Sequence, residues 1–469
     1  MPANNINSHL RLVDLMKKFL ISIVVYGLFS LNNYSIAATQ VELQAALEKQ
    51  QKQLQLIEKQ LTELKVASIA AGEDQQTDTS HNSVKNKNWQ INSYGNVLFK
   101  SEDVYRNIQD TSPERRATTD LERVVLEFVY DFDAKWQVEI ELEYEHGGTG
   151  ASLEYDGFEE FGEFETEIEA GGEIIVEKLQ AKYSANENFT VKMGHIFVPV
   201  GLGTDLHKPT QYFSTQRHWS EATLIPQVWH ETGVNLISKW QGFTAQTLIT
   251  TGLNSEYFRT YNWVATGHQK RFEKVNADDL ALTLRVDYGD IKAGKGIGVS
   301  FYTGNTSGNR NNNTKVNGDG NLTIFGLHGA YRFESWLVRG QYLFGTLDDS
   351  QAITNANKTT PGLKPGNFSQ LGSEAESSFV ELAYNSQNLF NLSKPLYLYT
   401  TYEYANPIKK VEQGIATDRF NKQSIAFGIN YYPIDNIVLK AQAAQQMHAQ
   451  KNLDDSASFS LSMGYFFSI

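Results

Sequence analysis

From Trp89 onward the chain alternates apolar and polar side chains with a period of two. Trp136, Val138, Ile140, Leu142 and Tyr144 alternate with Gln137, Glu139, Glu141 and Glu143, and Leu282, Leu284, Val286 and Tyr288 alternate with Thr283, Arg285 and Asp287. Such a period builds strands with one apolar and one polar face. It suits a barrel with lipid outside and water inside, and equally a soluble sandwich with its apolar face inward. Spacing separates the two. Short connections fall near 131–135, 184–188, 241–242, 289–296, 334–335, 386–394 and 433–436. Long ones fall at 100–120, 146–172, 198–232, 252–279, 304–321, 346–377, 405–422 and 447–456. Seven turns alternating with eight loops join sixteen strands, with both chain ends on the short-turn side. A soluble domain rarely carries so many long loops at one end. The expected fold class is all-β, a 16-stranded antiparallel transmembrane β-barrel over residues 88–469.

Upstream the period changes. Leu43, Leu47, Gln50, Leu54, Ile57, Leu61 and Leu64 step by four and three, which places them on one helical stripe. Residues 38–66 therefore predict a short coiled coil, with a lone amphipathic helix as the alternative, and the polar stretch 67–87 reads as a linker. Residues 1–37 have the plan of a secretory signal peptide. Lys17-Lys18 precede an apolar run from Phe19 to Ser30, then the small residues of Ser35-Ile36-Ala37, with Met16 a candidate start. The protein is expected in the outer membrane of a Gram-negative bacterium, its coiled coil in the periplasm and its long loops extracellular.

Composition narrows the chemistry. The 469 residues include 35 Gly, 23 Tyr and 26 Phe but no Cys, which rules out disulfides and thiolate sites. A formal net charge of −13 argues against a nucleic-acid partner. The ten histidines show no metal-ligand spacing, and His195 and His328 read as wall residues within strands. Gly294-Lys295-Gly296 precedes no helix pattern, Asn317-Gly318-Asp319 lacks the distal glutamate of a calcium loop, and no Gly-x-Ser-x-Gly elbow occurs. No cofactor, metal or catalytic site is expected, and the protein is read as a non-enzyme.

Candidate residues come from the lumen instead. Loop 198–232 mixes Asp205, Lys208, Arg217, His218 and Glu221 with Trp219 and Trp229. Its tryptophans want burial and its charges want water, and folding into the barrel mouth satisfies both. By strand parity Lys178, Lys182, Lys192, Arg285, Arg332 and Arg339 line the lumen, and so do Glu139, Glu141 and Glu143. A basic wall facing an acidic one would set a transverse field across the pore. The further run Glu163, Glu165, Glu167 and Glu169 suits either solvent or divalent ions among lipopolysaccharide phosphates.

The final alternation of Phe459, Leu461, Met463, Tyr465, Phe467 and Ile469 resembles the C-terminal signal for outer-membrane barrel assembly. The run Gly194–Gly201, the leader, coiled coil and linker, and Tyr431-Tyr432-Pro433 with Val438-Leu439-Lys440 together resemble the phosphate-selective porin family of O and P type. That resemblance implies a homotrimer of sixteen-stranded barrels, the third loop as constriction, and anion selectivity from basic lining residues. The acidic ladder here opposes such selectivity. The expected function is passive diffusion of small polar or charged solutes, anions such as phosphate among them, through a barrel set in lipid and lipopolysaccharide. The alternative is an adhesin or envelope tether built on the same barrel.

Overall fold

The computed structural model describes residues 88–107, 110–147, 152–155, 166–169, 174–268, 274–310, 316–359 and 370–469, so the expected signal peptide, coiled coil and linker lie outside the described residues. Sixteen strands close into one antiparallel barrel. In chain order the first are β1 (Trp89–Val104), β2 (Glu114–Asp131), β3 (Trp136–Glu145), β6 (Ile174–Asn186), β7 (Phe189–Phe197), β8 (His230–Trp240), β9 (Phe243–Thr251) and β10 (Leu280–Asp290). The wall continues with β11 (Lys295–Gly304), β12 (Leu322–Phe333), β13 (Trp336–Leu347), β14 (Glu374–Asn385), β15 (Leu396–Lys410), β16 (Lys422–Ile434), β17 (Ile437–His448) and β18 (Ser456–Ser468). A separate hairpin, β4 (Ser152–Tyr155) with β5 (Thr166–Glu169), sits within the second long connection. β1 pairs with β18 from Asn92↔Ser468 to Glu102↔Ser458, so the wall leaves no open edge.

The seven short turns fall within a few residues of their expected places. One of the two-residue turns, Gln241-Gly242, has φ of +46° and +84° at its two residues, the backbone a two-residue hairpin requires and one glycine adopts freely. Two loops are shorter than expected, 105–113 and 411–421, because their flanking strands run on past the apolar alternation. Polar cross-strand pairs line these extensions: Arg115 with Asp103 at 3.1 Å, Lys409 with Glu376 at 2.7 Å and Lys410 with Glu374 at 3.0 Å. The backbone ladder continues where the hydrophobic signal has stopped.

Alternation sets the two faces of the wall. On β18 Phe459, Leu461, Met463 and Phe467 are exposed on the outside, while Ser460 and Ser462 are buried within. One bulge breaks the rule. Glu141 pairs with Lys178 but Leu142 pairs with Val176, so Glu177 is an extra residue in β6, and both Glu177 and Lys178 are buried.

The lumen is partly packed. Trp229, Trp263, Phe258, Tyr302, Leu343 and Ile353 belong to one buried apolar cluster. It joins the inner faces of β9 to β15, at their long-loop ends, to the loops after β7 and β9 and to helix α2 (Ser350–Thr359); α1 is the single turn Trp219–Ala222. Burial of these side chains draws the loops inward.

Candidate functional site

The connection 198–229 crosses the lumen and bonds to the wall on many sides. Leu202 N–H donates to Gln341 Oε1 (2.6 Å), Phe213 N–H to Glu381 Oε1 (3.2 Å) and Thr215 N–H to Gln442 Oε1 (3.2 Å). Ser220 donates its N–H (3.0 Å) and its hydroxyl (2.9 Å) to Glu403 Oε2, and Trp219 Nε1–H donates to Ser424 Oγ (2.9 Å). Wall cations hold the loop carbonyls in turn. Lys440 Nζ donates to Tyr212 O (2.8 Å) and Ser214 O (2.9 Å), Arg285 to Gly201 O (3.0 Å), and Arg123 to His207 O. A loop taken out of bulk water needs such partners for its backbone groups, and long wall side chains supply them.

The five residues expected in the constriction do not form one group. Asp205 is drawn to one wall, 2.6 Å from Arg285 Nη2 on β10 and 3.6 Å from Lys292. Lys208 is drawn toward the N-terminal strands, 3.6 Å from Glu127 and over the rings of Tyr94 and Phe466. Arg217, His218 and Glu221 do meet, lining a small cavity with Arg339, Phe379 and Glu381. Glu221 is buried and accepts the Gly203 N–H at 3.2 Å, and a Cβ at Gly203 would collide with that carboxylate. Burial pushes the Glu221 carboxyl up from its ordinary pKa.

His218 stacks on Phe379, ring centroids 3.7 Å apart, with Nδ1 3.5 Å from Glu403 Oε1. Burial works against its charged form, but the Glu403 carboxylate outweighs that and raises its pKa above the usual 6.5. His207 goes the other way. Burial, then the nearby charges of Arg123 and Lys178, holds it well below the usual value. Its Nδ1–H donates to Thr204 O at 2.7 Å, which leaves a lone pair on Nε2.

The lining residues expected on the strands point inward, but the charges interleave rather than oppose. Lys178 on β6 stands beside Glu139 and Glu141 of β3, its Nζ 2.5 Å from Glu141, 3.1 Å from Glu127 and in contact with Glu139. Glu143 pairs with Arg123 at 3.3 Å. The expected transverse field therefore gives way to local neutralisation on one stretch of wall, because neighbouring strands place opposite charges within contact distance. Glu127, Glu139 and Glu141 bring oxygens close enough for a metal ion, yet the Lys178 ammonium stands among them. Arg285 and Arg339 are likewise paired, with Asp205 and Asp287, and with Glu381. Lys182 and Lys192 lie opposite each other on β6 and β7. With Arg217 and Arg332 they have no ion-pair partner among the described residues. Arg332 and Lys292 line a second cavity of about 350 Å³ beneath the loop, with Thr210, Gln211, Tyr397 and Asp435.

Several wall residues were not singled out from the sequence. Arg123 and Glu127 were legible in principle, since Val124 and Phe128 face outward and put them on the inner face. Glu381 and Glu403 follow in the same way from exposed Val380 and Tyr402. Glu177 had no such signal, because parity without the bulge assigns it to the outer face.

No family model matches the chain. A relative described as an uncharacterised protein from Aquifex aeolicus (strain VF5) is 26% identical over 360 residues, 75% of this chain and 75% of its own. Among solved structures, the outer membrane channel DcaP of Acinetobacter baumannii matches 82% of this chain and 99% of its own, with TM-score 0.48 and 11% identity. The anion-selective porin from Comamonas acidovorans matches 81% and 100%, with TM-score 0.44 and 12% identity. OmpT of Vibrio cholerae, an outer-membrane protein, matches 82% and 99%, with TM-score 0.45 and 11% identity. At these distances the likeness carries no functional inference.

Proposed function

We propose that the protein is an outer-membrane channel through which small charged solutes diffuse, with the 198–229 loop as its constriction. The observation that carries this reading is the contrast between the two faces of one closed wall. Outward positions are apolar, and inward positions hold ionisable groups and a loop bonded to them, which is the division lipid outside and water inside demands. Exposed aromatic residues beside the short turns, such as Trp136, Tyr288, Tyr331 and Trp240, suit an interfacial girdle at that end of the barrel.

The solutes are anions. The acidic groups of the lumen are largely engaged by Lys178, Arg123, Arg285 and Arg339, whereas Lys182, Lys192, Arg217 and Arg332 form no ion pair among the described residues. Unpaired cations at a narrowing set the sign of permeant ions. Phosphate is one member of the class, and the lining does not single it out. In this reading the chain is exported by its leader, sits in lipid and lipopolysaccharide, and forms a homotrimer steadied by the coiled coil.

The test is conductance of the purified protein in planar bilayers, with the reversal potential taken under a salt gradient. Steps with an anion-selective potential support the channel, and cation selectivity would refute the assigned sign. A second reading draws on the apolar packing around Trp229 and Trp263 at the loop end of the lumen. A folded barrel that conducts nothing would turn the assignment to an adhesin or tether, with the loops as its binding surface.

A further inference from the structure

We propose that the outer face of β13–β15, at the long-loop end of the barrel, binds the phosphorylated headgroup of lipopolysaccharide. The site is built by a bulge. Glu376 pairs with Asn406 but Glu374 pairs with Lys410, so β15 carries two extra residues at this point. Two consecutive lysines thereby reach the outer carboxylates, Lys409 meeting Glu376 at 2.7 Å and Lys410 meeting Glu374 at 3.0 Å. Tyr342 and Tyr404 donate their hydroxyls to the same Glu376, at 3.0 and 3.1 Å. Lys409 also lies over the ring of Phe344, 5.2 Å from its centroid.

Depth along the wall identifies the partner. Up β14 the outward side chains run from Tyr384, Leu382 and exposed Val380 to Ser378, Glu376 and Glu374. Tyr342 and Tyr402, exposed on the neighbouring strands, stand at the boundary, where amphipathic rings sit at headgroup level. The charges directly above therefore face the headgroup layer. This inference rests on the outer-membrane reading above, with the long loops extracellular, which makes that layer the phosphate-bearing glucosamine headgroup of lipid A. The cluster is neutral, two lysines against two glutamates, so it acts by contact rather than by attraction from a distance. A lysine ammonium has more hydrogens than one carboxylate oxygen takes, and those left over suit phosphate oxygens in charge-assisted bonds. Exposed ion pairs of this kind contribute little by themselves, so sharing them with a phosphate costs little. Glu376, held by two tyrosines, fixes Lys409 in place, and Glu374 is positioned to accept from sugar hydroxyls.

The test is lipid retention by the full-length protein folded in detergent, measured by native mass spectrometry. Lipid A with both phosphates, lipid A stripped of them, and phosphatidylglycerol are titrated separately. The phosphorylated lipid A should bind most tightly, and equal retention of all three lipids overturns the site without recourse to any variant. Lys409→Gln and Lys410→Gln should each weaken it about fivefold, while Lys135→Gln, in a short turn at the other end of the barrel, should leave it unchanged. Heat-modifiable gel migration checks that each barrel is folded. Unchanged affinity in the folded double lysine variant also overturns the proposal. Binding in detergent does not depend on conduction, so loss of this site and loss of the channel reading are told apart by the bilayer recording described above.

Discussion

Arg339 and Glu381 face each other across β13 and β14, with Nε and Nη2 at 2.8 and 2.6 Å from the same carboxylate oxygen, and together they grip the loop that crosses the lumen. Arg339 Nη1 donates to Gln211 O at 2.6 Å, while Glu381 keeps its other oxygen for the Phe213 N–H. Each residue thus neutralises its partner and holds one polarity of the loop backbone. Glu381→Ala would leave the buried guanidinium without its counter-charge, a loss of about 3–5 kcal/mol. Replacing both residues by Leu should cost less than the single change. A double-mutant cycle in chemical denaturant checks this, and additive losses would mean that the pair does not act as a unit.

Lys178 stands among three carboxylates, so Lys178→Met removes the cation on which Glu127, Glu139 and Glu141 depend. Folding yield at neutral pH should fall sharply, by the several kcal/mol expected for stranded buried charge. Adding Glu139→Gln and Glu141→Gln should recover much of it. No recovery would mean that the lysine acts by packing rather than by charge.

The His218–Glu403 contact predicts a loop that loosens as pH rises. The folded-state pKa of His218 lies above the usual 6.5. Its stabilisation is therefore complete below that value and is lost as pH climbs through the raised one. The groups around it are Glu403 on β15, Glu381 and Phe379 on β14, Arg339 on β13, and Arg217 and Glu221 in the loop itself. Hydrogen exchange at Ser220, corrected for its intrinsic pH dependence, should accelerate over that window in the unaltered protein but not in His218→Gln. Equal profiles would exclude the histidine as the source.

Charge reversal at unpaired cations should change selectivity where reversal at paired ones disrupts folding. Arg217→Glu, Lys192→Glu and Arg332→Glu should each shift the reversal potential toward cations while leaving a folded barrel. An unchanged potential for Arg217→Glu would place the loop outside the constriction.

Much of the wall was legible because two-residue alternation is a local signal, and the turns were legible because chain reversals draw glycine and polar residues. The inward course of loop 198–229 followed from its mixture of Trp219 and Trp229 with charges. The grouping of its charges did not. Asp205 and Lys208, three residues apart, go to Arg285 and Glu127 on separate stretches of wall, and nothing local in the sequence encodes that divergence. The contacts of Lys409 with Glu376 and of Lys410 with Glu374 were hidden for a similar reason, since the partners are 33 and 36 residues apart on neighbouring strands. Glu177 shows the limit of parity itself, because one extra residue in β6 reverses the facing of everything beyond it.

The loop's anchors also impose an order on assembly. It leaves the wall after β7, yet Thr215 Oγ1 meets Ser460 Oγ at 2.7 Å across 245 residues of sequence, and Lys440 caps Tyr212 and Ser214. Contacts so distant along the chain form late, after the intervening loop entropy has been overcome by strand pairing. The interior therefore cannot be furnished until the enclosure is nearly complete. β18 is the last strand made and the one that closes the barrel against β1. It also carries the final peg for a segment laid down less than halfway along the chain, so a polypeptide stalled before its last strand would have neither a sealed wall nor a seated loop.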